Sequence, residues 1–361
     1  MVKKQISFLS IVAAIILTTA CDNIDKSTDT STSNQKGATE STREASPVAQ
    51  RIDSLSLLIA EEPKNIDALV SRGNAYIDNK NPAYARADAD AAFFLDSTRK
   101  DVLLLRGDVN YVLNQTRRSR DMWEKCSALF PKDTECRLRI AELYMAIKDL
   151  DNALKYLNEV LDIDERNANA LFMKGVVIRD RNQDTTLALQ YIQRAIDVKD
   201  GNYIEALDMM GTILSWKNDP MAIQYFKNAI ALNPNRDDLY LKLGLSYANI
   251  EEYNAALEAY EKALQLNPRN DEVHFNIGFI NISLQNYDLA IDNFNKAIDL
   301  KEMNVKAIYG RAFAYEMRGD VMNAAKDYQT CLGMFPDYEP AKIGLQRIQR
   351  MTQGENIQIP E

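Results

Sequence analysis

One histidine, His274, and four cysteines, Cys21, Cys126, Cys136 and Cys331, are the first side chains to test for catalysis or metal binding in this 361-residue chain. A histidine-centred triad, or a zinc helix with two histidines four apart, needs partners that a lone histidine cannot supply. His274 instead falls at the helix position held elsewhere by Leu69, Leu171 and Tyr240, which is a packing position. No GxxxxGK[ST] loop, GxGxxG turn or GxSxG elbow occurs, so phosphate cradling and nucleophile-elbow chemistry lack their backbone. Asp and Glu number 52 against 43 Lys and Arg, for a net charge of −9. They are spread along helix faces as a solvated surface and not paired as acid and base. The chain is therefore expected to be no enzyme, with no cofactor, no metal and no small-molecule substrate. The acidic balance also speaks against nucleic acid, whose phosphates need basic neutralising groups.

The elements that carry these residues follow one pattern, clearest from Asp237 to Pro268. Tyr240, Leu243, Gly244 and Tyr247 form the apolar stripe of one short helix, and Ala256, Tyr260, Ala263 and Leu264 that of a second. Glu251 and Glu252 take the turn between them. Asp237 and Asp238 favour the positive end of the first helix, and Asn267-Pro268 stops the second. Gly244 and Ala256 lack bulk where the two helices cross, and Ala263 lacks it where the next helix approaches; a large residue there would overpack by about 1–3 kcal/mol.

The pattern recurs about every 34 residues. The second-helix alanine reads Ala85, Ser119, Ala153, Ala188, Ala222, Ala256, Ala290 and Ala324. The crossing position reads Gly73, Gly107, Ala141, Gly175, Gly211, Gly244, Gly278 and Ala312, and the later small position Ala92, Cys126, Val160, Ala195, Ala229, Ala263, Ala297 and Cys331. Eight repeats are present.

In period and residue pattern, residues 66–337 resemble the tetratricopeptide repeat (TPR) family. The proline column fits at Pro131, Pro234, Pro268 and Pro336. The first-helix tyrosine column holds at Tyr76, Tyr144, Tyr247 and Tyr315 but fails at Asn110, Ile178, Leu214 and Asn281, and small length changes fall near Asp184 and Asn218. The resemblance implies an all-α, right-handed α-solenoid superhelix of about eight helix-turn-helix repeats, whose concave groove, lined by first helices, binds a protein or peptide. Residues 47–63 read as an N-terminal capping helix and 338–352 as a C-terminal one, each covering an apolar face of the array. Residues 353–361 read as a disordered tail.

Projecting the family's groove onto the first helices gives Asp101, Leu104, Asp108 and Tyr111, then Leu138, Glu142 and Met145, then Phe172, Val176 and Asp180, then Asp208, Thr212 and Trp216. Beyond these the face turns apolar: Leu241 and Leu245, then Phe275, Phe279 and Ile282, then Tyr309, Phe313 and Met317. Such a patch would take an extended or helical apolar segment. Its alternative is that curvature packs these residues against neighbouring first helices. A carboxylate clamp of the kind chaperone-binding members use is not expected: Asn74 is suitably placed, but Val70 stands where a lysine is needed.

Residues 1–21 read as a signal peptide, with Lys3 and Lys4 before an apolar run from Ile6 to Leu17 that is too short to span a bilayer comfortably. Cys21 directly after Ala20 resembles the lipidation site of a bacterial lipoprotein, although Thr18 and not a leucine stands three before it. Ordinary cleavage after Ala20 is the alternative. Residues 22–46, rich in Ser, Thr and Asp, read as a flexible tether spanning about 25–30 Å. The reading is thus a lipid-anchored scaffold or adaptor of the bacterial cell envelope, on the outer membrane ahead of the inner, facing periplasm or cell surface and acting in assembly or secretion of envelope proteins. A nutrient (glycan)-binding lipoprotein is the rival, and the near-constant period leaves little room for the insertions it would need. Cys126 and Cys136 lie where one repeat ends and the next opens, so an oxidising compartment could join them; equally, Cys126 could simply fill a small-residue position.

Overall fold

The computed structural model describes residues 46–182 and 184–353. The signal peptide, Cys21, the tether up to residue 45 and the tail from 354 lie outside the described residues. Among those described, the backbone forms eighteen α-helices and no strand, in two compact units that divide after Glu165. The first unit holds α1 (Pro47–Glu61), α2 (Ile66–Asp78), α3 (Pro82–Leu95), α4 (Lys100–Val112), α5 (Thr116–Leu129), α6 (Glu135–Ala146) and α7 (Leu150–Ile163). The second holds α8 (Ala168–Asn182), α9 (Thr185–Val198), α10 (Ile204–Trp216), α11 (Met221–Leu232), α12 (Asp237–Asn249), α13 (Tyr253–Leu266), α14 (Asp271–Ser283), α15 (Tyr287–Leu300), α16 (Val305–Arg318), α17 (Val321–Met334) and α18 (Glu339–Thr352). Each is a run of antiparallel helix pairs, three in the first unit and five in the second. The fold is an all-α repeat solenoid. Helix α1 packs on α2, and α18 packs on α16 and α17.

Local chemistry sets the ends of these helices. Ser46 caps α1 by accepting from the Ala49 N–H, with Pro47 opening the first turn. Asn65, Asp149, Asp184, Asn270, Asn304 and Asp320 cap later helices in the same way. Between the two helices of a repeat the chain turns through a left-handed residue: Lys80, Asn114, Lys148, Asn218, Glu251, Gln285 and Gly319 all have φ above +50°. Only Gly319 escapes the steric cost, about 1–2 kcal/mol, that a Cβ meets there.

The small-residue columns are the core. Every member of the Ala85–Ala324 and Ala92–Cys331 series is fully buried, and the one hydroxyl among them, Ser119 Oγ, donates to the Gly107 carbonyl at 2.5 Å. The crossing glycines exist to admit a large ring. A methyl added at Gly107 would sit 2.1 Å from Trp123 Nε1, and one at Gly244 2.4 Å from the Tyr260 ring. The ring of Phe294 occupies the space against both Gly278 of its own repeat and Gly310 of the next, and Tyr328 does the same against Gly344. Thus Trp123, Phe226, Tyr260, Phe294 and Tyr328 form a second-helix column that wedges between successive first helices. In the first unit a disulfide joins Cys126 of α5 to Cys136 of α6, with Cα atoms 6.0 Å apart. Cys331 is free and buried.

Candidate binding surface

The first helices of the second unit carry two parallel rows where the sequence suggested one. The row three residues before the crossing position packs inward. Phe172 is 3% exposed, its ring 5.3 Å from that of Tyr203 just before the next first helix, and Tyr309 meets Tyr338 at 5.7 Å in the equivalent place. Leu241, of the same row, is 8% exposed. The expectation that Phe172 and Leu241 face a ligand is therefore corrected: Tyr203 covers Phe172, and Leu241 is buried in a core cluster with Val273, while Phe275 of the same row stays half-buried. The row one residue after the crossing position is more open. Leu245 and Phe313 are half-buried and Phe279 is 45% exposed.

Phe279 is held in place by its neighbours. Its ring stands 5.2 Å from Phe275 and edge-on at 6.1 Å to Phe294, which itself meets Phe275 at 5.9 Å. Three aromatic rings supported from behind make a firm apolar ledge, the kind of surface that gives a contact area at small entropic cost. Half-buried Ile282 and Met317 extend it along α14 and α16, and the Arg347 guanidinium lies 5.9 Å from the centre of the Phe313 ring. Trp216, at the end of α10, is 71% exposed. Beside it the polar wall of α10 and α12 is internally matched: Asp208 accepts from Lys242 Nζ at 2.6 Å and from Arg236 at 3.0 Å.

The corresponding row in the first unit is ionic. Arg139 lies between two carboxylates, its Nε 3.4 Å from Asp108 Oδ1 and its Nη1 3.4 Å from Glu142 Oε2. Burial pushes the Asp108 carboxyl up to about 7 against the pull of Arg139, and burial likewise raises that of Glu142. Sequence reasoning placed Asp108 and Glu142 on this face but missed their shared arginine; Arg139 sits two residues before the small crossing residue Ala141, a spacing that could have paired them. It also missed a buried triad under the C-terminal helix. Arg347 donates to both oxygens of Glu316 at 2.7 and 2.8 Å, and the Tyr328 hydroxyl donates to Glu316 Oε2 at 2.5 Å. His274 is buried with Nδ1 3.5 Å from Asn293 Oδ1, as a packing residue should be. Among the described residues no cluster of His, Cys, Asp and Glu could hold a metal ion.

Comparison with known proteins agrees with the helix pairing. Tetratricopeptide-repeat families match residues 134–167, 250–285, 271–302 and 306–338. The human mitochondrial import receptor subunit TOM70 is 23% identical over 220 residues, which cover 49% of this chain and 36% of that protein; the chain thus spans about a third of that relative's length. Among solved structures, the C-terminal part of a TPR repeat-containing protein from Cytophaga hutchinsonii superposes with a TM-score of 0.54 at 20% identity, over 66% of this chain and 98% of that one. The pilF protein of Pseudomonas aeruginosa does so with a TM-score of 0.50 at 19% identity, over 60% and 97%. At such identities the likeness shows the fold. The chain carries tetratricopeptide repeats, which are interaction repeats and not a catalytic family.

Proposed function

We propose that this array of tetratricopeptide repeats is a protein-binding scaffold of the bacterial cell envelope, held to a membrane by acyl chains on Cys21, and that it receives an apolar protein segment on the first-helix face of its second unit. The observation that carries the binding site is the ledge of Phe275, Phe279 and Phe294, of which Phe279 stays 45% exposed while Phe294 behind it is fully buried. Half-buried Ile282, Phe313 and Met317 continue the ledge, and Trp216 offers a further exposed ring. An import receptor subunit among the similar proteins supports a reading as a protein-binding array. The anchor rests on the short apolar run that ends at Ala20-Cys21, and two or more acyl chains would give stable attachment.

The test is cross-linked affinity purification from envelopes of cells carrying wild type, a Phe275→Ala, Phe279→Ala, Phe313→Ala triple variant, or Cys21→Ser. The triple variant is expected to stay folded by circular dichroism and to lose one specific partner. Cys21→Ser is expected to leave the membrane fraction. Unchanged partners would refute the face, and retained membrane association would refute the anchor.

A further inference from the structure

The second helices of the array keep a solvated outer face in every repeat but the first. At the places two and six residues after the buried alanine, the seven later repeats carry polar or charged side chains, as in Asp121 and Lys125, Glu258 and Lys262, or Asp292 and Lys296. In α3 both places are alanine, Ala87 and Ala91, and both are exposed. Aromatic rings stand at the two ends of the same face. Tyr84 is 63% exposed, its ring held 5.3 Å from that of Tyr76, and Phe94 is 90% exposed. Steps of three, four and three residues put Tyr84, Ala87, Ala91 and Phe94 on one side of the helix. Helix α1 lies alongside, because one guanidinium joins the two: Arg72 donates to Ser56 Oγ of α1 at 3.1 Å and to Asp88 Oδ1 of α3 at 2.6 Å. On α1 the register place of Ala91 is held by Leu57, which is 71% exposed.

A contiguous apolar face this open marks a contact surface, and the order of its residues says with what. Ring, alanine, alanine, ring reads the same in both directions: Tyr84 and Phe94, like Ala87 and Ala91, are placed symmetrically about Ala89. A two-fold contact demands that order, since residue i of one copy meets j of the other and j meets i. We propose that this stripe, widened by Leu57, seats a second copy of the chain, with two α3 helices packed antiparallel about a two-fold axis at the level of Ala89. The alanines let the helices approach closely, and each Phe94 ring meets the Tyr84 ring of the other copy. The charges fit the same axis. Arg86 and Asp90 are each half exposed, 3.7 Å apart on one flank of the stripe, and the two-fold brings Arg86 of each copy beside Asp90 of the other. At about 150–250 Å² for each aromatic side chain, the open parts of these residues in two copies come to on the order of 1,000 Å², the lower end for a specific interface. Other occupants fit less well. Residues 22–45 hold one large apolar side chain, Ile24, and so offer no cover of their own. A lipid surface calls for Lys and Arg around the stripe, whereas Asp53, Glu61 and Asp90 flank it beside Arg86.

The test uses the full chain in two differently tagged forms made in the same cells, one with Ala87→Cys and the other with Ala91→Cys. Antiparallel stripes bring these two thiols together, so mild oxidant is expected to link the two forms to each other in preference to linking either form to itself. Lys155→Cys with Glu159→Cys, the same two places in the third repeat, should give no link. Phe94→Ala in both forms should lower the mixed link about 10-fold, as loss of an aromatic anchor does, with the melting temperature unchanged because the ring is exposed. In a density-matched detergent the purified chain should sediment as a dimer at about 100 µM, and the Ala87→Glu, Ala91→Glu variant as a monomer of unchanged helicity. Links within one form as strong as the mixed link, equal links at the third-repeat places, a dimer that the two glutamates leave intact, or a wild-type monomer would each overturn the proposal. So would flotation of the Cys21→Ser chain with phosphatidylcholine and phosphatidylglycerol vesicles that Phe94→Ala abolishes while no mixed link forms; that result would give the stripe to lipid.

Discussion

The same row of first-helix positions carries opposite chemistry in the two units. In the first it holds Asp108 and Glu142 around Arg139; in the second it holds Leu245, Phe279 and Phe313. Yet behind both rows lies the same construction, a glycine facing a large second-helix ring: Gly107 with Trp123, Gly244 with Tyr260 and Gly278 with Phe294. The difference teaches that the small-residue columns fix the solenoid while the row beside them is free to vary. What that row costs depends on burial: Arg139 spans Asp108 and Glu142, yet burial still raises both carboxyls.

The largest effect is expected from unpairing Glu316. Glu316→Ala leaves the half-buried Arg347 without its carboxylate and the buried Tyr328 hydroxyl without its acceptor, and is expected to cost about 2–4 kcal/mol, read as a lowered denaturation midpoint of the second unit. Phenylalanine at Tyr328 together with methionine at both Glu316 and Arg347 should recover most of that loss, because a packed apolar replacement strands no charge.

The next effect is smaller and depends on pH. The folded-state pKa of Asp108 stands above its unfolded value, so the protonated carboxyl is favoured by folding; its contribution is fully present below about pH 4 and is lost as pH rises through about 7. Hydrogen exchange of α4 to α6 should therefore quicken between pH 5 and 8, after correction for the intrinsic rate. Asp108→Asn should flatten that dependence and stabilise the first unit at pH 8 by on the order of 1–3 kcal/mol. An unchanged pH profile in the variant would show that the Arg139 pair already neutralises the site.

The smallest effect sharpens the shared construction and not the difference. Lys148→Gly in the first unit and Glu251→Gly in the second relieve a left-handed residue in equivalent turns. Each should be worth less than about 1 kcal/mol, since the flexibility of glycine in the unfolded chain offsets part of the gain. A clear inequality between the two would show that turn strain differs between units after all.

Most of the fold was legible because a 34-residue step repeats the same geometric demand eight times, and three columns of Gly, Ala and Cys could be checked against one another. The face was only half legible. Phe172, Leu241 and Phe279 look alike as apolar first-helix residues, and what separates them is what the following repeat sets against them, Tyr203 on Phe172 and Val273 beside Leu241. That is a property of neighbouring repeats and not of any single one. The same limit hid Arg139 and Arg347, whose partners Asp108 and Glu316 on the preceding first helix lie 31 residues away in each case. Pairing across nearly one period is visible only once adjacent first helices are set side by side.

The wedge of Phe294 between Gly278 and Gly310 couples the completion of one repeat to the docking of the next. As the chain folds, α14 and α15 can pair with each other alone, but the ring of Phe294 has only one of its two walls until α16 docks. That repeat is thus finished by its successor. The last ring, Tyr328, waits for Gly344 on α18. The same helix delivers Arg347 to Glu316, so its docking closes the ring column and completes a matched polar site in one step.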